Sequence, residues 1–474
     1  MKPAQKESRK MIYTVAAIFI LIFAVLIGYL IYFNLFKKKE MSMHAQNTRL
    51  SQLESEVIRG NIYDKTGEVL LATTDDDGNR IYPYDNLYAH VVGYCQPDEI
   101  GVEALANSEL LYPNYGLTSI FKMAFFNEKF HGRDVVLTLD HRYQEAIADA
   151  MSDKKGAVVV LEASSGRILA MYSNPNFDPN EIEEDWNELN TDEEDTPLIN
   201  RATRGLYPPG SIFKVITTLA YMNTSGTLDF TYDCPGYIEG VDDGKEYKIS
   251  CYNGTAHGKV NLSTAFSKSC NSYFSALART LPENALKETA ESLGFNGSFA
   301  SQLGYTSSRF SLTSSDSNFE HDATAIGQGK TLTNPYEMAW IAAAIANDGV
   351  AMKPYVIQYS MTQNRQIKDQ NKATEIGALI SQDKAFKLQE LMEGVLDHGT
   401  AVSLAEKGLV VGGKTGTAQN ETDADHSWFM GYAKDPEDTS KPTIAFAVIV
   451  EGGGRGAQAL GVSSSILDVY RSIE

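Results

Sequence analysis

The longest apolar run in the chain is Met11 to Phe36, 26 residues without a charge. Lys2, Lys6, Arg9 and Lys10 precede it, and Lys37-Lys38-Lys39-Glu40 follows. A helix of that length spans a bilayer with some tilt. A cleaved leader would have a shorter apolar core and a small-residue cleavage site. The pattern therefore predicts an uncleaved anchor over 11–36, with residues 1–10 as a cytoplasmic tail. Four positive charges before the span against three after it bias the N-terminus inward only weakly.

Beyond the anchor the rhythm changes. Met41 to Val57 is polar and helix-compatible, a stalk. Ile58 to Asn127 is mixed and turn-rich, which suggests a small extracytoplasmic domain. Val135–Leu139 reads as a strand and Asp140–Met151 as a helix. Ala157–Leu161 and Arg167–Tyr172 read as two apolar strands joined by Glu162-Ala163-Ser164-Ser165-Gly166, a hairpin signal. Helices are predicted over Ile212–Met222, Leu262–Ala278, Pro335–Asn347 and Asp383–Asp397; Pro335 suits a first helical position. Strands follow at Gly413–Ala418, Ser427–Ala433 and Thr443–Val450, then a helix over Ser464–Ser472. Two early strands, a block of helices, then three strands and a helix predict one sheet built from both ends of an α/β (α+β) domain.

Charge and cysteine content narrow the class. The net charge is −20, and residues 41–474 hold 34 basic against 59 acidic side chains. So acidic a surface argues against nucleic-acid binding. Nine acids between Glu181 and Asp195 read as a solvated loop without the ligand spacing of a calcium loop. Four cysteines show no close-spaced metal pattern, so neither a metal nor a cofactor is expected. Cys234 and Cys251, 17 apart, leave bridged and free states equally open, and Cys270 reads as a packed thiol.

Chemistry concentrates in three short motifs. Ser211-Ile212-Phe213-Lys214 is followed 58 residues on by Ser269-Cys270-Asn271, and 145 further on by Lys414-Thr415-Gly416. Each alone is weak. Ser-Ile-Phe-Lys also occurs at Ser119, looser matches begin at Ser152 and Ser381, and Lys-Thr-Gly also occurs at Lys65. Lys65 sits in a polar turn ahead of every candidate serine. Ser119 lies upstream of the catalytic core, Ser152 in a charged helix end, and Ser381 suits an N-cap. Ser211 instead follows the rigid approach Pro208-Pro209-Gly210 and heads an apolar helix. There the backbone N–H groups and helix dipole favour a developing oxyanion. Lys214, three residues on, shares its face.

S-x-x-K, S-x-N and K-T-G in this order resemble the signature of penicillin-binding proteins and serine β-lactamases. From about Arg59 onward the chain resembles the class B penicillin-binding proteins, monofunctional peptidoglycan transpeptidases of compact type. Arg59-Gly60-Asn61-Ile62-Tyr63-Asp64, Asn200-Arg201-Ala202, Gly327-Gln328-Gly329 and Trp428-Phe429 carry the likeness. The resemblance implies an antiparallel sheet with helices on both sides over 131–474, and a stalk and pedestal over 37–130. It implies Ser211 as nucleophile, Lys214 as general base and Ser269 as proton relay. Asn271 would hold Lys214 and a substrate amide. Lys414, Thr415 and Thr417 would bind the terminal carboxylate, Gly416 would keep strand and substrate close, and the N–H groups of Ser211 and Thr417 would form the oxyanion hole. Implied partners are stem peptides on lipid II-derived strands, β-lactams, the membrane, and a SEDS-type glycosyltransferase. The implied setting is a bacterial cell membrane, with the catalytic domain outside.

Other readings remain at this stage. Cys270 replaces the middle Asp of S-D-N, and Trp186 stands where a class A β-lactamase glutamate would precede Leu189-Asn190. A D,D-carboxypeptidase shares the acyl-enzyme and differs only in its acceptor. A non-catalytic scaffold would have lost a motif residue. A sensor would need more than about ten residues before the anchor, and a bifunctional enzyme more than about 100 residues before the core.

Overall fold

The computed structural model describes residues 3–32, 57–75, 77–95, 99–113, 129–405, 408–419, 424–454 and 456–473. Helix α1, Pro3–Tyr32, includes the apolar stretch Met11–Tyr29, whose mean hydropathy is 2.7 and whose side chains are exposed. Exposed apolar side chains all round are what a lipid-facing helix carries. The end of the predicted anchor, 33–36, the stalk to residue 56 and the decoy Ser119 lie outside the described residues.

The chain divides into two compact units, 1–59 with 107–133 and 60–106 with 134–474. In the first, Val57–Ile58 pairs in parallel with Phe130–His131, and Arg59 donates to the Asn107 side chain. Among the described residues the second contains three two-stranded sheets and two large ones. One has six strands in the order 367–370, 357–361, 134–137, 62–63, 70–74, 80–81. Here the strand expected at 135–139 finds its neighbours.

The other sheet positions the chemistry. Its strands are β1 (Gly156–Glu162), β2 (Ile168–Asn174), β3 (Val410–Ala418), β4 (His426–Lys434) and β5 (Ile444–Val450). They run in the order β3-β4-β5-β1-β2, all antiparallel. The predicted union of both chain ends is the β5–β1 pair, with Val448 opposite Val158. The helices used below are α2 (His141–Met151), α3 (Ile182–Thr191), α4 (Lys214–Thr224), α5 (Leu262–Ser267), α6 (Asn271–Ala278), α7 (Pro335–Ala346), α8 (Gln382–His398) and α9 (Ala457–Ser472). Helices α7 and α8 pack together against the sheet, as do α2 and α9. Covered on both faces, the strands are buried along nearly their whole length, which is why they read as continuous apolar runs. Side-chain caps start two of the helices: Asp140 accepts from Arg142 N ahead of α2, and Asn334 accepts from Glu337 N ahead of α7.

Three expectations are corrected. The helix predicted over 262–278 is two helices, α5 and α6, broken at 268–270. Ser269 adopts φ +55°, a left-handed conformation that no Gly or Pro in the segment announces. The acidic stretch 181–195 is not a loop throughout, because 182–191 is helical. Ile182 is buried, and Glu183, Glu184 and Asp185 crowd the first turn, where the dipole favours them. The last helix begins at Ala457 rather than Ser464. Its buried stripe runs from Ala459 and Val462 through Ile466, Leu467 and Tyr470, and small side chains such as Ala459 and Ser463 carry it at the start, where the apolar signal is weak.

Candidate active site

Ser211 lies on a single 3-10 turn, Gly210–Phe213, that runs directly into α4. Gly210 takes φ +54°, and a Cβ there would collide with Thr417 O. Glycine is therefore required for the Ser211 turn to approach β3 so closely. Gly210 N also donates to Gly327 O at 2.8 Å, and Gln328 Nε2 to Thr417 O at 3.4 Å. Gly327 and Gln328 thus buttress this approach.

Lys214, one helical turn on, is fully buried. Its Nζ lies 2.9 Å from Ser211 Oγ, 3.1 Å from Ser269 Oγ, 2.8 Å from Ser269 O and 2.6 Å from Asn271 Oδ1. The left-handed φ at Ser269 turns both its carbonyl and its hydroxyl toward this amine. Strand β3 brings Lys414, also fully buried, with Nζ 2.9 Å from Ser269 Oγ. Among the described residues no carboxylate pairs with either lysine. Burial pushes Lys214 down to about 7. Burial, and the Lys214 amine beside it, push Lys414 well below the usual amine range. A hydroxyl next to an amine that can lose its proton near neutral pH is an activated nucleophile.

The motif residues open onto one cleft of about 840 Å³, lined by Ser211, Ser269, Asn271, Thr415 and Thr417 among others. Thr415 Oγ1 is 2.5 Å from Thr400 Oγ1, which fixes its rotamer. A Cβ on Gly416 would press on Trp428 Cβ, Ile212 and Pro209 O at 2.9–3.1 Å. Gly416 thus serves the packing between β3 and the Ser211 turn.

The competing serines go elsewhere. Lys65-Thr66-Gly67 is a turn in which Lys65 pairs with Asp140 at 2.7 Å. Ser152 caps the exposed end of α2, and Ser381 is the N-cap of α8.

The penicillin binding protein transpeptidase domain matches residues 156–469, from β1 into α9. The chain belongs to the penicillin-binding transpeptidases. Its relatives include PbpA of Mycolicibacterium smegmatis, a peptidoglycan D,D-transpeptidase 30% identical over 83% of this chain and 84% of that protein. MrdA of Acinetobacter baumannii, another D,D-transpeptidase, is 28% identical over 82% of this chain but only 66% of its own length. The imipenem acyl-enzyme of penicillin-binding protein A from M. tuberculosis superposes with a TM-score of 0.78 at 30% identity. That match covers 88% of this chain and 98% of that one. The class B, monofunctional family read from the motifs is thus correct, as is the fold.

This penicillin-binding transpeptidase also carries a cluster that its sequence did not disclose. Cys234, Cys251, Cys270 and His257 bring their donor atoms within 4.8 Å of one another. Cys234 and Cys251 are not bridged, with sulfurs 3.7 Å apart. Cys251 and Cys270 Sγ are 3.8 Å apart, and Cys234 Sγ is 3.5 Å from His257 Nδ1. Tetrahedral zinc with Zn–S near 2.3 Å and Zn–N near 2.0 Å sets ligand edges of roughly 3.8 and 3.5 Å. The donor set and the spacing both fit zinc. The expectation of no metal pattern rested on close-spaced pairs, and these ligands are spread over 37 residues. Chain pairing gathers them: Gly258 opposes Cys234, and Cys251 N donates to Gly236 O at 2.8 Å.

Proposed function

We propose that the chain is a peptidoglycan D,D-transpeptidase acting through a Ser211 acyl-enzyme, with residues 131–474 as the catalytic domain and 37–130 as its stalk and pedestal. The observation that carries this reading is the buried amine of Lys214, 2.9 Å from Ser211 Oγ, with no carboxylate among the described residues to keep it charged. Neutral Lys214 takes the Ser211 proton as Oγ attacks the carbonyl carbon of the D-Ala-D-Ala bond. The oxyanion develops toward the N–H groups of Ser211 and Thr417. The C–N bond breaks, and Ser269, hydrogen-bonded to both lysines, relays a proton to the leaving D-alanine. Lys414, Thr415 and Thr417 hold the terminal carboxylate, and Asn271 holds Lys214 and a substrate amide. The amine of a second stem then attacks the ester, forming the cross-link and regenerating Ser211.

A β-lactam enters the first step and stops at the Ser211 ester. In the test, fluorescent penicillin labels the parent chain and leaves Ser211→Ala unlabelled; equal labelling would overturn the assignment. On lipid II-derived strands the transpeptidase yields cross-linked product. D-alanine release without cross-links would favour a carboxypeptidase.

Helix α1 serves as a single membrane anchor that leaves the catalytic domain outside. Deleting residues 1–36 should move the protein from the membrane to the soluble fraction. A SEDS-type glycosyltransferase is the expected membrane partner, and a pull-down recovering none would count against it. Cys234, Cys251, Cys270 and His257 would hold a structural zinc. Cys270 sits between Ser269 and Asn271, so the metal would brace the loop that offers both to Lys214.

A further inference from the structure

Glu451 follows the last residue of β5, and one of its oxygens serves two partners from distant parts of the chain. Tyr207, 9% exposed, donates its phenol to Glu451 Oε1 at 2.6 Å. Arg201, 3% exposed, donates Nε to the same oxygen at 2.9 Å. Lys155 Nζ stands 3.9 Å from the other oxygen. The remaining guanidinium nitrogens of Arg201 are engaged by Asp195 O, Thr196 O and Thr196 Oγ1. This is a largely buried hydrogen-bonded junction, where geometry is held far better than in an exposed ion pair.

The junction touches both walls of the catalytic cleft. Tyr207 is the last residue before Pro208-Pro209-Gly210-Ser211. Its ring meets Trp428 edge-on with centroids 6.1 Å apart, and Trp428 Nε1 donates to Pro208 O at 3.1 Å. Gly205 leaves room for that ring, since a Cβ there would lie 2.5 Å from Tyr207 Cε2. On the other side, the turn after Glu451 bonds back to the start of β4. Gly452 N donates to His426 Nδ1 at 3.2 Å, and Gly454 N to Asp425 O at 2.7 Å. Asp425 and Gly456 line the same cleft as Ser211.

We infer that Glu451 is a positioning residue for acylation, holding through Tyr207 the stiff segment that carries Ser211 against the side of the cleft that Asp425 and Gly456 line. The two prolines leave little slack between Tyr207 and Ser211. A shift at the phenol is therefore passed to Oγ, and misplacing a reacting atom by about 1 Å costs ~10²-fold in rate. Burial and the neighbouring carboxylate raise the Tyr207 phenol well above its usual range, so it remains a donor throughout the working pH. The inference rests on Ser211 being the nucleophile.

The test measures acylation of the full-length chain in detergent by fluorescent penicillin at several concentrations, separating the reversible constant from the acylation rate constant. Tyr207→Phe deletes one oxygen, and Glu451→Gln keeps the shape while weakening both hydrogen bonds. The acylation rate constant should fall about tenfold in each, with the reversible constant within about twofold of the parent. Labelling at long times should still reach one per chain, and Tyr207→Phe should melt within about 3 °C of the parent. Parent-like rate constants in both variants would overturn the inference, as would a loss confined to melting temperature or labelled fraction. Ser211→Ala separates the two claims. Its labelling would overturn the nucleophile and this inference together. Its silence beside unchanged rates in the other variants would overturn this inference alone.

Discussion

Lys214 and Lys414 converge on one oxygen, Ser269 Oγ, from 3.1 and 2.9 Å. Two ammonium groups cannot share a buried hydroxyl without a counter-charge, so the arrangement favours loss of a proton. The pH dependence follows in sign. Burial lowers Lys214 to about 7, and only its neutral form accepts the Ser211 proton. Acylation by penicillin should rise through pH 7 and flatten above it, gaining about 100-fold from pH 5 to pH 8. Stopped-flow labelling across that range checks it, and a flat profile would remove Lys214 as the base.

Replacing the amine tests the same site without changing the core volume much. Lys214→Met keeps an unbranched side chain in a fully buried position and removes the base. Its acylation rate should fall by about 10³-fold, within the range for lost general-base catalysis, while the protein stays folded. Circular dichroism and fluorescent penicillin labelling on one preparation separate chemistry from folding.

Much of this site was legible because acyl transfer imposes spacing on the chain. Ser211 and Lys214 must share a helical face, and Pro208-Pro209-Gly210 announces where that face begins. The strands of the central sheet were legible from continuous apolar runs, the mark of burial on both faces. What stayed hidden depends on tertiary context. Nothing local in 262–278 signals a break, because the cost of Ser269 at φ +55° is offset by contacts with Lys214 and Lys414, far away in sequence. Glu451 looked like any acid after a strand until Tyr207 and Arg201 reached it.

Gly210 supplies a backbone prediction. Gly210→Ala would force a side chain into φ +54° and into Thr417 O. A left-handed alanine costs about 1–2 kcal/mol before the collision is counted. The variant should melt lower by roughly 2–4 °C or more and acylate far more slowly, since Ser211 is the next residue. Gly244→Ala is the control. Gly244 has φ +77° but no atom within 4 Å of a Cβ, so the variant should show only the conformational cost and label at the parent rate. Equal labelling rates for the two variants would mean that the approach of Gly210 to β3 does not matter for catalysis.

The cysteine cluster gives the prediction that reaches furthest from the motifs. Cys251 is central, with Cys234 Sγ at 3.7 Å and Cys270 Sγ at 3.8 Å. Protein purified under reducing conditions with zinc present should retain one equivalent after dialysis, measured by inductively coupled plasma mass spectrometry. Cys251→Ser should lose it, and a chelator should lower the parent melting temperature by about 5 °C or more, because metal binding is coupled to folding. The three thiols should resist Ellman's reagent until the chelator is added. Acylation should slow on chelation, since the chain that positions Ser269 and Asn271 runs through Cys270. Zinc-free protein with an unchanged melting curve would reduce the cluster to packed thiols, and the loop would then owe its shape to the lysine contacts alone.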